Sequence, residues 1–290
     1  MILVTGATGH LGKLTIDFLL TKLPPSSIAA LVRSKTKSAN LEALGVELRI
    51  ADYFDYDAMV LSLTGIDTLV LISSGSLENR VKQHTNAINA ARECGVSHIV
   101  YTSMVGASQT MKFVTGSDHF HTEFILKETG IPYTILRNGF YTEALAEQLI
   151  PALNIGQWHY PGDGASLNSV ARTDLAEVLA QVSQNPPAYQ NQTYTLTGSR
   201  AYSFSEIASI VNGITGRPFV YIPIPLDAYA SALQNAGVPE SFIAIIVSVA
   251  EAQQAGQMSE VDTSLATLLN REPENLQTTL QRLLNERIVD

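Results

Sequence analysis

Short hydrophobic runs alternate with amphipathic stretches through the first half of the chain. The runs are four to seven residues long and rich in β-branched side chains. Nearly continuous hydrophobic runs of this length are typical of strands in a parallel sheet that is buried on both faces. The predicted strands are residues 2–5, 28–33, 46–51, 67–73, 97–103 and 132–137. Helical periodicity lies between them, in residues 10–23, 40–44, 57–63, 78–94 and 118–129.

This alternation of strand and helix predicts right-handed crossovers, and therefore an α/β fold with a doubly wound parallel sheet. After about Asn138 the regular alternation of strand and helix patterns ends, and Gly and Pro residues interrupt the sequence. The later residues predict a helix over 173–184, short strands over 194–198 and 219–225, and an amphipathic closing helix over 273–288. We therefore expect a Rossmann domain in residues 1–150 and a smaller C-terminal α+β lobe in residues 151–290, partly interleaved with the sheet.

Composition narrows the class of protein. With 290 residues, of which 46% are hydrophobic, the chain is long enough to bury a large core. The single cysteine, Cys94, excludes an internal disulfide, and no Cys and His pair at metal-ligand spacing. A net charge of −9 argues against nucleic acid as a partner, and the apolar run at 242–250 is too short to span a bilayer. We expect a soluble cytoplasmic protein with no metal site, no nucleic-acid partner and no membrane partner.

The segment GATGHLG directly follows the first predicted strand. Its first glycine, Gly6, would end the strand, Gly9 would let the backbone approach a ligand, and Gly12 would let the helix pack against the sheet. Backbone N–H groups at the helix start would then face a pyrophosphate. A tight turn without a ligand is the alternative, but the position at the start of a βαβ unit favours a nucleotide. The predicted phosphate-binding residues are Gly6, Thr8, Gly9, His10, Leu11 and Gly12.

The GxxGxxG spacing resembles that of extended and atypical short-chain dehydrogenases/reductases. Further segments resemble the NmrA-like family within that superfamily: VRSKTK at 32–37, ADY at 51–53, LISS at 71–74, YTS at 101–103 and YTILRNGFYTE at 133–143. Within the family, the nearest resemblance is to bacterial NADPH-dependent quinone oxidoreductases and triphenylmethane dye reductases. It covers the chain almost end to end and implies a Rossmann fold and a reductase.

The end of the second predicted strand indicates which nicotinamide cofactor binds. NAD-preferring sites usually carry Asp or Glu there, whereas this chain has Arg33, which suits the 2′-phosphate of NADP. The alternative for Arg33 is an exposed charge that binds no ligand. For Ser73 and Ser74, the alternative is ordinary hydrogen bonding at the end of a strand. The resemblance implies that Asp52 and Tyr53 lie near the adenine, that Ser73, Ser74 and Gly75 follow the cofactor, and that Asn138, Gly139, Phe140 and Tyr141 wall the nicotinamide end.

The usual proton donor of this superfamily is missing. Where a Tyr-x-x-x-Lys motif would stand, the chain has Thr115 and His119. Quinones and cationic dyes do not require a dedicated donor, because water can protonate a hydroquinone anion and a triphenylmethyl cation needs no proton. His119 is the candidate catalytic residue, in contact with the nicotinamide ribose or the substrate oxygen; a surface histidine on a helix is the alternative. We assign no role to His84 or His121.

These observations favour an NADPH-dependent oxidoreductase that transfers hydride to a small planar electrophile such as a quinone. Four aromatic residues, Phe140, Tyr141, Trp158 and Tyr160, are candidates for a flat substrate slot or for ordinary core. A non-catalytic, NADP(H)-binding redox-sensing regulator of the NmrA type is the main alternative. A phenylpropanoid-type reductase is a weaker one, since that group usually carries a lysine at the position of His119. A homodimer is compatible with either function.

Overall fold

The computed structural model describes residues 1–288. The strands are β1 (Ile2–Val4), β2 (Ile28–Val32), β3 (Glu47–Ile50), β4 (Thr68–Leu71), β5 (His98–Met104), β6 (Tyr133–Asn138), β7 (Phe140–Tyr141), β8 (Gln157–Tyr160), β9 (Ser166–Leu167), β10 (Ser169–Val170), β11 (Gln192–Leu196), β12 (Tyr202–Ser203) and β13 (Val220–Pro223). The helices are α1 (His10–Leu20), α2 (Ala39–Ala43), α3 (Tyr56–Leu63), α4 (Arg80–Glu93), α5 (Gly116–Glu128), α6 (Thr142–Leu153), α7 (Arg172–Gln184), α8 (Phe204–Thr215), α9 (Leu226–Asn235), α10 (Glu240–Gln254), α11 (Ser264–Leu269) and α12 (Leu276–Ile288).

Seven strands form the main sheet in the order β11, β6, β5, β4, β1, β2, β3. The pairs β3 with β2, β2 with β1, β1 with β4, and β4 with β5 are all parallel. Strand order reverses direction between β1 and β4, because the chain first moves outward to β3 and then returns to the other side of β1. Ligands of open α/β sheets bind at the carboxyl ends of the strands at such a reversal. The predicted doubly wound Rossmann fold is confirmed.

The burial of each strand follows its place in the sheet. All residues of β1, β2 and β4 are buried, as their continuous hydrophobic sequences predict. The expectation of a fully buried strand is wrong for β3, where Ile50 is 48% exposed. This strand lies at the edge of the sheet and pairs only with β2, which leaves one side uncovered.

Helices cover the sheet in pairs. The helix α1 packs against α7, and α3 packs against α4. In the core that α3 and α4 share with the sheet, Leu3 of β1 and Leu69 of β4 are buried together with Met59 of α3 and Ile88 of α4. The sequence predicts α1, α3, α4 and α5 to within a few residues at their ends.

The chain divides into two compact units whose segments alternate. Within the described residues, the first consists of Met1–Ser103, Asp118–Arg137 and Arg172–Tyr194, and the second of Met104–Ser117, Asn138–Ala171 and residues 195–288. The predicted division places one boundary at residue 150, whereas α7 belongs to the first unit and residues 104–117 belong to the second. Packing explains the position of α7, because its main contact is with α1 of the first unit.

The second unit has an aromatic core of its own. Trp158 and Tyr160, on the same face of β8, are almost fully buried and stack with ring centroids 5.4 Å apart. Phe204 of α8 lies 5.2 Å from the Tyr160 ring, and the Tyr160 hydroxyl donates to Gln253 of α10. Of the two uses considered for Trp158 and Tyr160, the structure therefore shows core packing.

The longest helix of the described residues, α10, has 15 residues. Among residues 1–288, no helix combines the length and the hydrophobicity needed to cross a membrane. The same part of the chain contains no group of three or more His, Cys, Asp or Glu residues placed to hold a metal ion.

Candidate cofactor-binding site

The loop between β1 and α1 is built on close backbone contacts. Gly6 has φ of +59°, in the left-handed region that favours glycine, and its carbonyl oxygen accepts a hydrogen bond from the Gly9 N–H at 2.9 Å. A Cβ on Gly12 would overlap that same carbonyl oxygen. The loop therefore requires glycine at position 12, because the start of α1 lies against the loop backbone at Gly6 and Ala7 and not, as expected from the sequence, against the sheet.

The start of α1 is suited to an anion. Lys13 makes the first helical hydrogen bond, to Gly9 O at 3.0 Å, so the N–H groups of His10, Leu11 and Gly12 have no acceptor within the helix. No side chain caps this end, and its first turn contains no acidic residue. The partial positive charge of the helix terminus is thus available to a pyrophosphate. Thr8 and His10 are exposed at the same end.

The carboxyl ends of β1 and β4 are joined beside this loop. The Thr5 hydroxyl oxygen accepts a hydrogen bond from the Ile72 N–H at 2.9 Å, and the Tyr53 hydroxyl donates to Ile72 O at 3.5 Å. Burial raises the pKa of Tyr53 to about 12, so this phenol stays neutral. Asn86 of α4 holds the Tyr53 carbonyl at 2.8 Å. The structure therefore fixes Tyr53 near the end of β1, at the edge where the sequence places the cofactor.

Arg33 and Asp52 follow the two outer strands on that edge. Arg33 is the first residue after β2 and is exposed. Asp52 follows β3 and is also exposed, and its carboxylate accepts a hydrogen bond from the Phe54 N–H at 2.9 Å, which closes a local turn. The strand β2 lies directly beside β1, which leads into the glycine loop. Arg33 therefore stands at the end of the strand next to that loop.

The segment after β4 is held by side chains from β5 and α4. The Ser73 N–H donates to the Thr102 hydroxyl at 2.9 Å, and the Ser74 N–H donates to His84 Nε2 at 3.0 Å. The Ser74 hydroxyl donates to Gln83 at 2.6 Å. Gly75, the next residue, is exposed. Ser73 and Ser74 thus make the strand-end hydrogen bonds considered as an alternative, in a segment that leaves the sheet at its carboxyl edge.

His119 lies inside the first unit and is not a surface residue. Only 7% of it is exposed, and its Nδ1 lies 2.8 Å from the hydroxyl of the fully buried Tyr101. Burial lowers the pKa of His119 well below its usual value, and the positive charge of Arg80 lowers it further. Burial also raises the pKa of Tyr101. The pair is therefore a neutral imidazole and a neutral phenol, which share one hydrogen bond.

The remaining predicted residues belong to the second unit. Asn138 is buried and its Nδ2 donates to the Tyr141 hydroxyl at 3.4 Å, while the Gly139 N–H donates to Leu196 O at 2.8 Å. Phe140 and Tyr141 form β7, which pairs with β10 and is half-buried. Thr115 is buried and its hydroxyl faces the Met104 sulfur at 3.8 Å. The nicotinamide-wall role of residues 138–141 stays a prediction.

Sequence reasoning missed Arg80, His84 and Tyr101. Arg80 and His84 stand one turn apart on α4, and both bond the Ser74 backbone. Tyr101 stands in a hydrophobic strand and looks like ordinary core. The sequence does contain one signal. An arginine and a histidine stand four residues apart at the start of the helix that follows β4, the strand whose end was predicted to meet the cofactor. That spacing puts both side chains on one helix face.

Comparisons with known proteins identify the family of this chain. The family model described as the NmrA-like family matches residues 1–278. Quinone oxidoreductase 2 of Escherichia coli is 32% identical over 285 residues, which cover 98% of this chain and 99% of the relative. NAD(P)H azoreductase of Xenophilus azovorans is 28% identical over 242 residues, covering 83% of each chain.

Two solved structures extend the similarity to the fold. The NADPH-dependent quinone oxidoreductase of E. coli, complexed with NADPH, superimposes with a TM-score of 0.94 at 32% identity and covers 98% of this chain and 100% of its own. The triphenylmethane reductase of Citrobacter sp., complexed with NADP(H), gives a TM-score of 0.92 at 34% identity with the same coverage. The glycine loop, the strand order and these matches agree along nearly the whole chain, which belongs to the NmrA-like family.

Proposed function

We propose that the protein is an NADPH-dependent oxidoreductase that transfers a hydride to a quinone or a similarly planar electrophile. The observation that carries the proposal is the uncapped start of α1 after β1, with Arg33 at the end of the neighbouring strand β2, at the reversal of strand order. Support also comes from the relatives, which are named as a quinone oxidoreductase, an NAD(P)H azoreductase and a triphenylmethane reductase, two of them solved with NADPH or NADP(H).

The residues of the first unit fit such a cofactor. The N–H groups at positions 10–12 would hold the pyrophosphate, and no acidic residue in the first turn of α1 would repel it. Arg33 would pair with the 2′-phosphate, where an Asp or Glu would repel it. Asp52 and Tyr53 would lie toward the adenine, and Ser73, Ser74 and Gly75 toward the nicotinamide ribose. The nicotinamide, when bound in its reduced form, supplies the hydride.

The protonation state of His119 limits its role in this chemistry. A neutral, buried imidazole does not supply a proton as an imidazolium would, so His119 acts by orienting a ligand through a hydrogen bond. Its Nδ1 faces Tyr101, which leaves Nε2 for that contact. Hydride addition to a quinone gives a hydroquinone anion, and water then protonates that anion. The missing Tyr-x-x-x-Lys motif is consistent with an electrophile that needs no protein acid.

The test is turnover across a panel of substrates under anaerobic conditions. NADPH mixed with the protein should be oxidised in the presence of small benzoquinones, naphthoquinones or triphenylmethane dyes, at rates that saturate with substrate. The alternative of a redox-sensing regulator predicts tight binding of NADP⁺ and NADPH with no turnover on any member of the panel. That second result would overturn the proposal and leave the cofactor assignment in place.

A further inference from the structure

The backbone of Ser74 is held at both of its polar groups by one helix. Its N–H donates to His84 Nε2 at 3.0 Å, and its carbonyl oxygen accepts a hydrogen bond from Arg80 Nε at 2.9 Å. His84 is fully buried and Arg80 nearly so. When buried side chains bond both the backbone N–H and the carbonyl oxygen of one residue, they fix the position of the backbone there.

The hydrogen bonds of His84 determine its tautomer. Nε2 accepts from Ser74, so the ring proton is on Nδ1 and is donated to the Thr122 hydroxyl at 3.0 Å. The Thr122 hydroxyl in turn donates to Asp118 O at 2.8 Å, which leaves its oxygen free to accept. Burial and the charge of Arg80 lower the pKa of His84 to about 3, so this arrangement holds at neutral pH.

Arg80 and His84 reach the same neighbouring helix. Arg80 Nη1 lies 3.5 Å from the carboxylate of Asp118, one turn before the contact between His84 and Thr122. Arg80 and His84 are four residues apart on α4, and the residues that they contact are four residues apart on α5. The two contacts therefore link the helices at successive turns. We name Arg80, His84, Asp118 and Thr122 the α4–α5 clamp.

An adjacent side of α5 is held by polar contacts to β5. Tyr101 contacts His119 at 2.8 Å, and the Ser103 hydroxyl donates to the buried Glu123 at 2.6 Å. Glu123 also receives both Arg137 Nε and Nη2, at 2.9 and 2.7 Å. His119 thus stands on a helix that polar contacts hold from two directions, one of which begins at the Ser74 backbone.

We propose that Arg80 and His84 are positioning residues, which hold the Ser73–Ser74 segment and the helix that carries His119 in one fixed arrangement. The proposal rests on the proposed function in one respect, namely that this segment and His119 contact NADPH. Neither residue touches the cofactor in this account. Both act through Ser74 and through α5, so their removal should weaken cofactor binding more than it weakens the fold.

Two substitutions of His84 separate its two hydrogen bonds. In His84→Gln, the side-chain amide reaches the position of Nε2 and its oxygen can accept from the Ser74 N–H. In His84→Asn, the amide lies near Nδ1 and leaves Ser74 without a partner. We expect His84→Asn to raise the Kd for NADPH about tenfold, because the Ser73–Ser74 segment loses a hydrogen bond that holds it in place, and His84→Gln to stay within about threefold of wild type. Fluorescence titration with NADPH gives both values.

His98 provides the matched control. It is a second buried neutral histidine of the first unit, its Nε2 lies 2.9 Å from the Thr134 hydroxyl, and it stands at the opposite end of β5 from the cofactor edge. His98→Asn should lower the melting temperature about as much as His84→Asn and leave the Kd for NADPH unchanged. Equal Kd values for wild type and His84→Asn, or equal losses in His84→Asn and His84→Gln, would overturn the positioning role.

The binding measurement also separates this proposal from the proposed function. A wild-type protein that binds NADPH but reduces no quinone contradicts hydride transfer, while the difference between the His84 variants still supports the positioning role. A wild-type protein that binds no NADPH contradicts both. Full binding and full turnover in His84→Asn would contradict the positioning role alone.

Discussion

The hydroxyl of Tyr101 and Nδ1 of His119 lie 2.8 Å apart, and both side chains are buried in the first unit. Each group is neutral, since burial raises the pKa of the phenol and lowers the pKa of the imidazole. The contact occupies one ring nitrogen of His119 and fixes the direction of the other. His119 is therefore built to make one directed hydrogen bond.

Replacing His119 by Phe removes that hydrogen bond and keeps a ring in place. We expect kcat for quinone reduction to fall about tenfold, with added destabilisation because the buried Tyr101 hydroxyl loses one of its hydrogen-bond partners. The double variant Tyr101→Phe and His119→Phe leaves no such group unpaired. It should regain stability and still show the lowered kcat, as measured by steady-state assays and thermal melts. A double variant with wild-type kcat contradicts the role of His119.

Arg33 should decide the choice between the two nicotinamide cofactors. In Arg33→Ala, loss of a charge-assisted contact to the 2′-phosphate should raise KM for NADPH about 10- to 100-fold and change KM for NADH little. Arg92→Ala is the matched control, because Arg92 is also exposed and lies in the last turn of α4, away from the cofactor edge. An equal rise of KM for both cofactors would falsify the assignment.

Gly12 should tolerate no side chain. In Gly12→Ala the Cβ would overlap the carbonyl oxygen of Gly6, so we expect the loop to shift, NADPH binding to be lost and stability to fall by about 1–3 kcal/mol. Gly213 of α8 has open space around its Cβ position, and Gly213→Ala should raise stability by about 0.5–1 kcal/mol with unchanged binding. Urea unfolding and NADPH titration of both variants make the comparison. Normal NADPH binding in Gly12→Ala contradicts the account of the loop.

Thr115→Val should leave quinone reduction within about twofold of wild type. The Thr115 hydroxyl faces the Met104 sulfur, a weak acceptor, and valine has nearly the same shape. A large fall in kcat together with an unchanged melting temperature would show that the hydroxyl supplies a proton, which contradicts the donor-free mechanism.

Stability should fall with acidification below about pH 6.5. The pKa values of His84, about 3, of His98, about 4, and of His119 all lie below the 6.5 expected in the unfolded chain. The unfolded chain thus binds more protons in this range, so the stability is complete above pH 6.5 and is lost as the pH falls toward 4. Each histidine contributes a slope of about 1.4 kcal/mol per pH unit.

Urea unfolding at several pH values checks this slope. The double variant His84→Gln and His98→Gln cannot take up these two protons. Its free energy of unfolding should therefore depend on pH less steeply, by the slope that two protons contribute. The same slope in the double variant and in wild type would show that other groups cause the acid sensitivity.

The sequence predicts the sheet and the phosphate loop because both depend on local patterns. Strand hydrophobicity, the spacing of Gly6, Gly9 and Gly12, and the position of Arg33 after β2 are all readable within a few residues. The polar contacts behind Ser74 are not readable in this way, since they join residues 74, 84 and 122 through the packing of α4 beside α5. No local pattern in a single sequence predicts how these two helices pack.

Other differences also arise from tertiary position. The exposure of Ile50 follows from the edge position of β3, which depends on strand order and not on the local sequence. Trp158 and Tyr160 are aromatic in the way that a substrate slot requires, and only their stacking against each other and against Phe204 identifies them as core. For His119, the sequence leaves a catalytic residue and a surface histidine as alternatives, and the burial beside Tyr101 excludes the surface position.

Anaerobic mixing of the wild-type protein with NADPH and benzoquinone measures hydride transfer from NADPH to a quinone without any variant. We expect oxidised cofactor and hydroquinone to form in a one-to-one ratio, faster than without protein, and more slowly when the transferred hydrogen of NADPH is deuterium. Bound NADPH that is consumed no faster than in the absence of protein would contradict hydride transfer.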